Sequence, residues 1–117
     1  MTLGGVVISE IKAGSGPQVR PGDLVSILYK LALTSDALER DDLLESNYRP
    51  DRPLDIKVSQ IDMLKGLYDG IIGMRAGGAI RRIVIPSHLA YGGRRWRAIP
   101  PDSPLYLEVL VRLIKTE

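Results

Sequence analysis

A chain of 117 residues, 44% apolar and 26% charged, holds enough material for one hydrophobic core and too little for two, so residues 1–117 are read as a single domain. With no cysteine and a single histidine it lacks disulfides, thiol nucleophiles and an ordinary His/Cys metal cluster, and neither a metal nor a cofactor is expected. A net charge of +2 is too small for the whole surface to attract nucleic acid, and no apolar run reaches the roughly 20 residues of a membrane span, so neither nucleic acid nor a bilayer is an expected partner.

Residues 1–6 have neither the basic start nor the apolar stretch of a secretion signal, and a cytoplasmic location is expected. Val6, Val7, Ile8 and Ile11 form a short apolar run that stops at Gly14-Ser15-Gly16-Pro17, which predicts a first strand and its turn. A second turn, Pro21-Gly22-Asp23, precedes residues 24–34, whose β-branched and large apolar side chains predict a long or bent strand. Residues 35–53 are dense in charge, contain Pro50 and Pro53, and read mostly as a surface loop, ordered best over 41–46. Residues 54–59 alternate, with Leu54, Ile56 and Val58 on one face and Asp55, Lys57 and Ser59 on the other, as a half-buried strand does.

Between 62 and 74 the apolar residues Met63, Leu64, Leu67, Ile71 and Met74 recur every three or four positions, and Asp62 stands where an N-cap belongs. This predicts one helix. Gly66, Gly70 and Gly73 each lower helix propensity by about 1 kcal/mol relative to Ala, so packing has to hold it, and small residues let it lie close to a sheet. Residues 80–85 and 105–114 are further strands, the latter alternating Leu105, Leu107, Val109, Val111 and Leu113. Strands of this kind around one helix predict an α+β fold, an antiparallel sheet of five or six strands wrapped around one short helix.

Three motifs follow the helix in order: Gly73-Met74-Arg75-Ala76-Gly77-Gly78, Ile85-Pro86-Ser87-His88-Leu89-Ala90-Tyr91-Gly92, and Ile99-Pro100-Pro101-Asp102-Ser103. At that spacing, and followed by a long alternating strand, they resemble the FK506-binding-protein family of peptidyl-prolyl cis-trans isomerases. The resemblance runs from the turn at Pro21 to the last strand. It implies isomerisation of X-Pro bonds with no cofactor, in an apolar groove between helix and sheet, with proline-containing peptides or proteins as partners and weak binding of FK506-class macrolides. It implies that Tyr91 offers its hydroxyl to a substrate carbonyl, that the backbone N–H of Leu64 is a second donor, and that Tyr29 and Glu45 belong to the same catalytic set. Substrate contacts are expected from Leu44, Leu54, Met63, Leu67, Ala90, Trp96, Ile99 and Leu107.

Where the family lines its groove with phenylalanines and a tryptophan, this chain carries Leu44, Leu54, Leu67 and Leu107, and it contains no phenylalanine. Glu45 stands where the family has an aspartate. The uncatalysed barrier is about 20 kcal/mol, and a ten-thousand-fold acceleration needs about 5.5 kcal/mol of preferential transition-state binding. An aromatic contact contributes roughly 0.5–1.5 kcal/mol beyond its area, so losing four rings removes a large part of that requirement. A dry groove still favours the twisted, less conjugated amide, which predicts weak but non-zero activity. The leucine set also suits a non-catalytic peptide-binding or chaperone module, or a member specialised for one partner. Arg94-Arg95-Trp96-Arg97 lies between Tyr91 and Ile99 and suits either a solvated loop or contacts to an acidic peptide, a phosphate or nucleic acid.

Overall fold

The computed structural model describes residues 2–3, 5–48, 52–61 and 63–115. Among these residues, seven strands form one antiparallel sheet: β1 (Thr2–Leu3), β2 (Val6–Lys12), β3 (Leu24–Ala32), β4 (Glu45–Ser46), β5 (Leu54–Lys57), β6 (Ala79–Ile85) and β7 (Leu105–Lys115). Six of them follow the order β1-β2-β6-β7-β3-β4, and β5 pairs with β3 beside β4. The fold is α+β, as the alternation predicts, and each expected strand is present with ends displaced by one or two residues. No helix among the described residues is long and apolar enough to cross a membrane.

The helix that holds the sheet, α2, runs Lys65–Ile71, shorter than the 62–74 expected. Its N-cap is Leu64, with no side-chain capping bond, and the expected cap Asp62 lies outside the described residues. Met63 and Met74 are buried although neither is helical, so the apolar spacing marked packing on both sides of the helix and overran its ends. Gly73, at φ +84°, takes the left-handed conformation that ends many helices.

Close approach fixes the two helical glycines: a methyl at Gly66 would overlap Ile85 Cγ2, and one at Gly70 would sit 2.8 Å from Ile83 Cδ1. Arg81, on β6 and only 6% exposed, closes the other end of α2. Its guanidinium donates to the carbonyls of Gly70 (2.7 Å) and Ile72 (3.0 Å) and pairs with Glu10 on β2. A buried arginine therefore satisfies the C-terminal carbonyls that a helix leaves unbonded.

Two expectations are corrected. Residues 35–53 are not mostly loop: a second helix, α1 (Ser35–Glu39), starts at Thr34, whose Oγ1 accepts the Ala37 N–H at 3.0 Å, and buries Leu38. Glu39 and Glu108 share Arg82 of β6, which ties α1 to the sheet. On β7, Leu105, Leu107, Val109 and Val111 are buried as predicted, but Leu113 is 45% exposed. The register of β3 against β7 shifts from Ile27↔Val111 to Ser26↔Leu113, which skips Arg112 and turns the following residues over.

The outer edge of β3 lies uncovered by a strand between its pairings with β5 at Leu24–Ile27 and with β4 at Lys30 and Leu31. Asn47 fills the gap. Its side-chain oxygen accepts the Tyr29 N–H (2.6 Å), its amide donates to Ile27 O (3.1 Å), and its own N–H donates to Tyr29 O (3.2 Å). Leu44 N–H completes the row on Leu31 O at 2.8 Å.

Candidate active site

Alternation on β3 sends Ile27, Tyr29 and Leu31 to one face, and above that face lies a groove of about 610 Å³. β5 contributes Leu54 and Ile56, β7 contributes Leu105 and Leu107, and the approach to α2 adds Met63, Leu64 and Leu67. The third side is the loop that carries Tyr91, Trp96 and Ile99, and Leu44 with Glu45 close the rim. Eleven of the twelve residues expected at the site meet on this one wall.

Ala90 does not. It ends the single 3₁₀ turn Ser87–Leu89, donates to Ser87 O at 3.0 Å and packs against the core. Ile27, Leu31, Ile56 and Leu105 were missed, although each stands two residues from an expected one on the same strand, where a period of two puts it on the same face. Arg97 and Ala98 also line the groove and carried no such signal.

The polar groups at the groove differ in what they already bind. Tyr29 donates its hydroxyl proton to Glu45 Oε1. Burial pushes the Tyr29 phenol up to about 12, helped by that bond and by the Glu45 charge and opposed by Arg97. The Tyr91 phenol is also raised, by burial first and then by the Glu45 charge, with Arg97 again opposing. No hydrogen bond among the described residues uses the Tyr91 hydroxyl or the Leu64 N–H, whereas the Tyr29 proton is committed. The groove thus presents two open donors beside an apolar floor.

Trp96 supplies the aromatic surface that the leucines do not. It is 46% exposed, lies on the groove wall and stacks on Tyr91 with centroids 5.3 Å apart and planes 12° from parallel. Paired bonds between Trp96 and Ile99, N–H to O at 3.1 and 2.8 Å, make residues 96–99 a tight two-residue hairpin turn. Arg97 sits in it at φ 54° with its guanidinium carbon 5.5 Å from the Trp96 ring centre.

A profile of FKBP-type peptidyl-prolyl cis-trans isomerases matches residues 16–112. The chain belongs to that family. This FKBP-type chain is 37% identical over 111 residues to FK506-binding protein 4 of Chaetomium thermophilum, covering 95% of its own length and 22% of that relative. Among solved structures it is similar to FkpA from Escherichia coli, with TM-score 0.80 and 27% identity over 95% of this chain and 48% of the other. It is also similar to AtFKBP13, with TM-score 0.79 and 27% identity over 95% and 94%.

The raised phenols of this FKBP-type chain give a testable pH signature. A neutral phenol favoured by folding contributes stability that is complete below about pH 10 and is lost as the pH rises through about 12. Tyr48, pushed up to about 12 by burial and then by the Glu108 charge, behaves alike. In a tyrosine-ring NMR titration, Tyr29 and Tyr48 are expected to ionise near pH 12. A Tyr29 phenol that instead ionises near pH 10 would refute the Tyr29–Glu45 arrangement.

Proposed function

We propose that this chain accelerates cis/trans isomerisation of X-Pro bonds in peptides or proteins by holding the twisted amide in the groove, at a rate below that of aromatic-lined relatives. The observation that carries this reading is the pair of open donors, Tyr91 hydroxyl and Leu64 N–H, on a groove walled by leucine, isoleucine and methionine. A proline ring fits against Leu67, Leu54 and Leu107, while the carbonyl before it takes a donor. Rotation leaves that carbonyl less conjugated and the site excludes water, so the groove favours the twisted amide over the planar one. Tyr29 and Glu45 form a fixed polar corner whose role is to position the wall rather than to move a proton. Weak binding of FK506-class macrolides is part of the same proposal; the names of the FK506-binding relatives support it, and a floor of leucines in place of rings argues for the weakness. A cytoplasmic role in protein folding belongs to the same proposal.

Exchange NMR on a Leu-Pro peptide tests it. Acceleration is expected, and Tyr91→Phe should reduce it by up to about tenfold, since one hydrogen bond to a neutral group contributes roughly 0.5–1.5 kcal/mol. An unchanged rate in Tyr91→Phe would assign Tyr91 to packing against Trp96. A wild-type protein that binds the peptide without accelerating it is instead a peptide-binding module, the reading that the leucine floor favours.

A further inference from the structure

Three arginines lie within four residues of one another in the loop beside the groove. Arg94, Arg95 and Arg97 are all exposed, and none has an ion-pair partner among the described residues. Arg81, Arg82 and Arg40, by contrast, each hold a carboxylate. Glu45, which accepts the Tyr29 hydroxyl, and Asp102, in the same loop, pair with none of the three.

Their position is fixed as well. Asp102 N–H bonds Gly92 O at 2.8 Å and Arg94 N–H bonds Tyr91 O at 3.2 Å, so the loop is closed at its base and again at the hairpin of Trp96 and Ile99. This closed loop flanks the groove: Arg97 is part of the groove wall, and Arg94 and Arg95 precede it in the same loop, between Tyr91 and Trp96.

We infer that the Arg94, Arg95 and Arg97 rim selects proline peptides whose residues beside the X-Pro bond are acidic; this rests on the groove being the proline site. A chain lying in the groove passes the rim, and carboxylates on it meet three cations with no competing partner. A nucleic acid fits less well. The net charge is only +2, too small to draw a polyanion to the surface at large. Exposed pairs are weak and screened, so the preference is modest and depends on salt.

Three Leu-Pro peptides test this, one with neutral flanks, one with glutamates and one with lysines, assayed by exchange NMR. At about 10 mM salt, where the screening length is about 30 Å, kcat/KM for the glutamate peptide should exceed that for the lysine peptide by about fivefold. Near 1 M salt, where screening acts within about 3 Å, the two should agree within about twofold. Arg94 and Arg95 lie outside the groove wall, so the double variant Arg94→Glu, Arg95→Glu should keep the neutral-peptide rate and lose or invert the preference.

Equal low-salt values in an active protein, or a preference that survives in the double variant, would overturn the inference. The neutral peptide reports on the isomerase reading alone. Were it not accelerated, the same comparison is made on binding affinities, and equal affinities would overturn the rim's role. Tighter low-salt binding of a single-stranded oligonucleotide than of the glutamate peptide, lost in the double variant, would also overturn it and assign the rim to nucleic acid.

Discussion

Arg81→Met is expected to destabilise the protein by about 3 kcal/mol, seen as a lower urea midpoint with an unchanged m-value. The side chain is buried and its guanidinium serves the carbonyls of Gly70 and Ile72 together with Glu10. Methionine fills much of the same space, so the loss comes from polar groups rather than from a cavity. Each buried carbonyl left without a donor costs about 1–3 kcal/mol. Glu10 is half-exposed and rehydrates, which limits its share. Removing a buried charge returns part of the loss, since its desolvation penalty disappears as well. Amide exchange should accelerate first in α2, whose end has been opened. A change below about 1 kcal/mol would mean that water replaces the guanidinium at those carbonyls.

Gly66→Ala separates two effects of opposite sign. Helix propensity alone favours alanine by about 1 kcal/mol, so an uncrowded position would gain stability. Here the added methyl would overlap Ile85 Cγ2 and come within 3.2 Å of Ile85 Cβ and 3.1 Å of Leu89 O. Rotating one side chain does not relieve all three contacts, and overpacking of this kind typically costs 1–3 kcal/mol. A net loss of about 2 kcal/mol is expected, or roughly 8 °C in Tm for a domain of this size. The same substitution in an Ile85→Ala background should do less harm, since the overlapping methyl is gone, and a double-mutant cycle measures the difference. A stabilised single variant would show that α2 can move off the sheet freely.

Legibility in the sequence followed burial. β6 and β7 could be read because each hides one face, and the repeat of Ile83 and Ile85 or of Leu107 and Val109 records it directly. α1 escaped because five residues are too few to show a helical period, although Thr34 before Ser35-Asp36 is a recognisable cap. The turned-over end of β7 escaped because an extra residue opposite Ser26 and Ile27 is set by pairing across the sheet, which no local pattern reports. At the groove, the family motifs pointed to Tyr91, Leu64 and Ile99, and alternation from Tyr29, Leu54 and Leu107 reaches most of the remainder. Arg97 entered through a turn conformation that its own residue type does not favour.

Asn47 bears on how a peptide can be held. Between the β5 pairing at Ile27 and the β4 pairing at Leu31, three outward backbone groups of β3 are taken by this one residue, and Leu31 O is taken by Leu44. A bound chain cannot lengthen the sheet there, because no bare donor or acceptor waits for it. Affinity should therefore saturate at a few residues: extending a peptide beyond the proline and its immediate neighbours adds no ladder, only charge and contact. On the proposed function, a proline in a short exposed turn of a large protein should then bind as well as one in a free peptide.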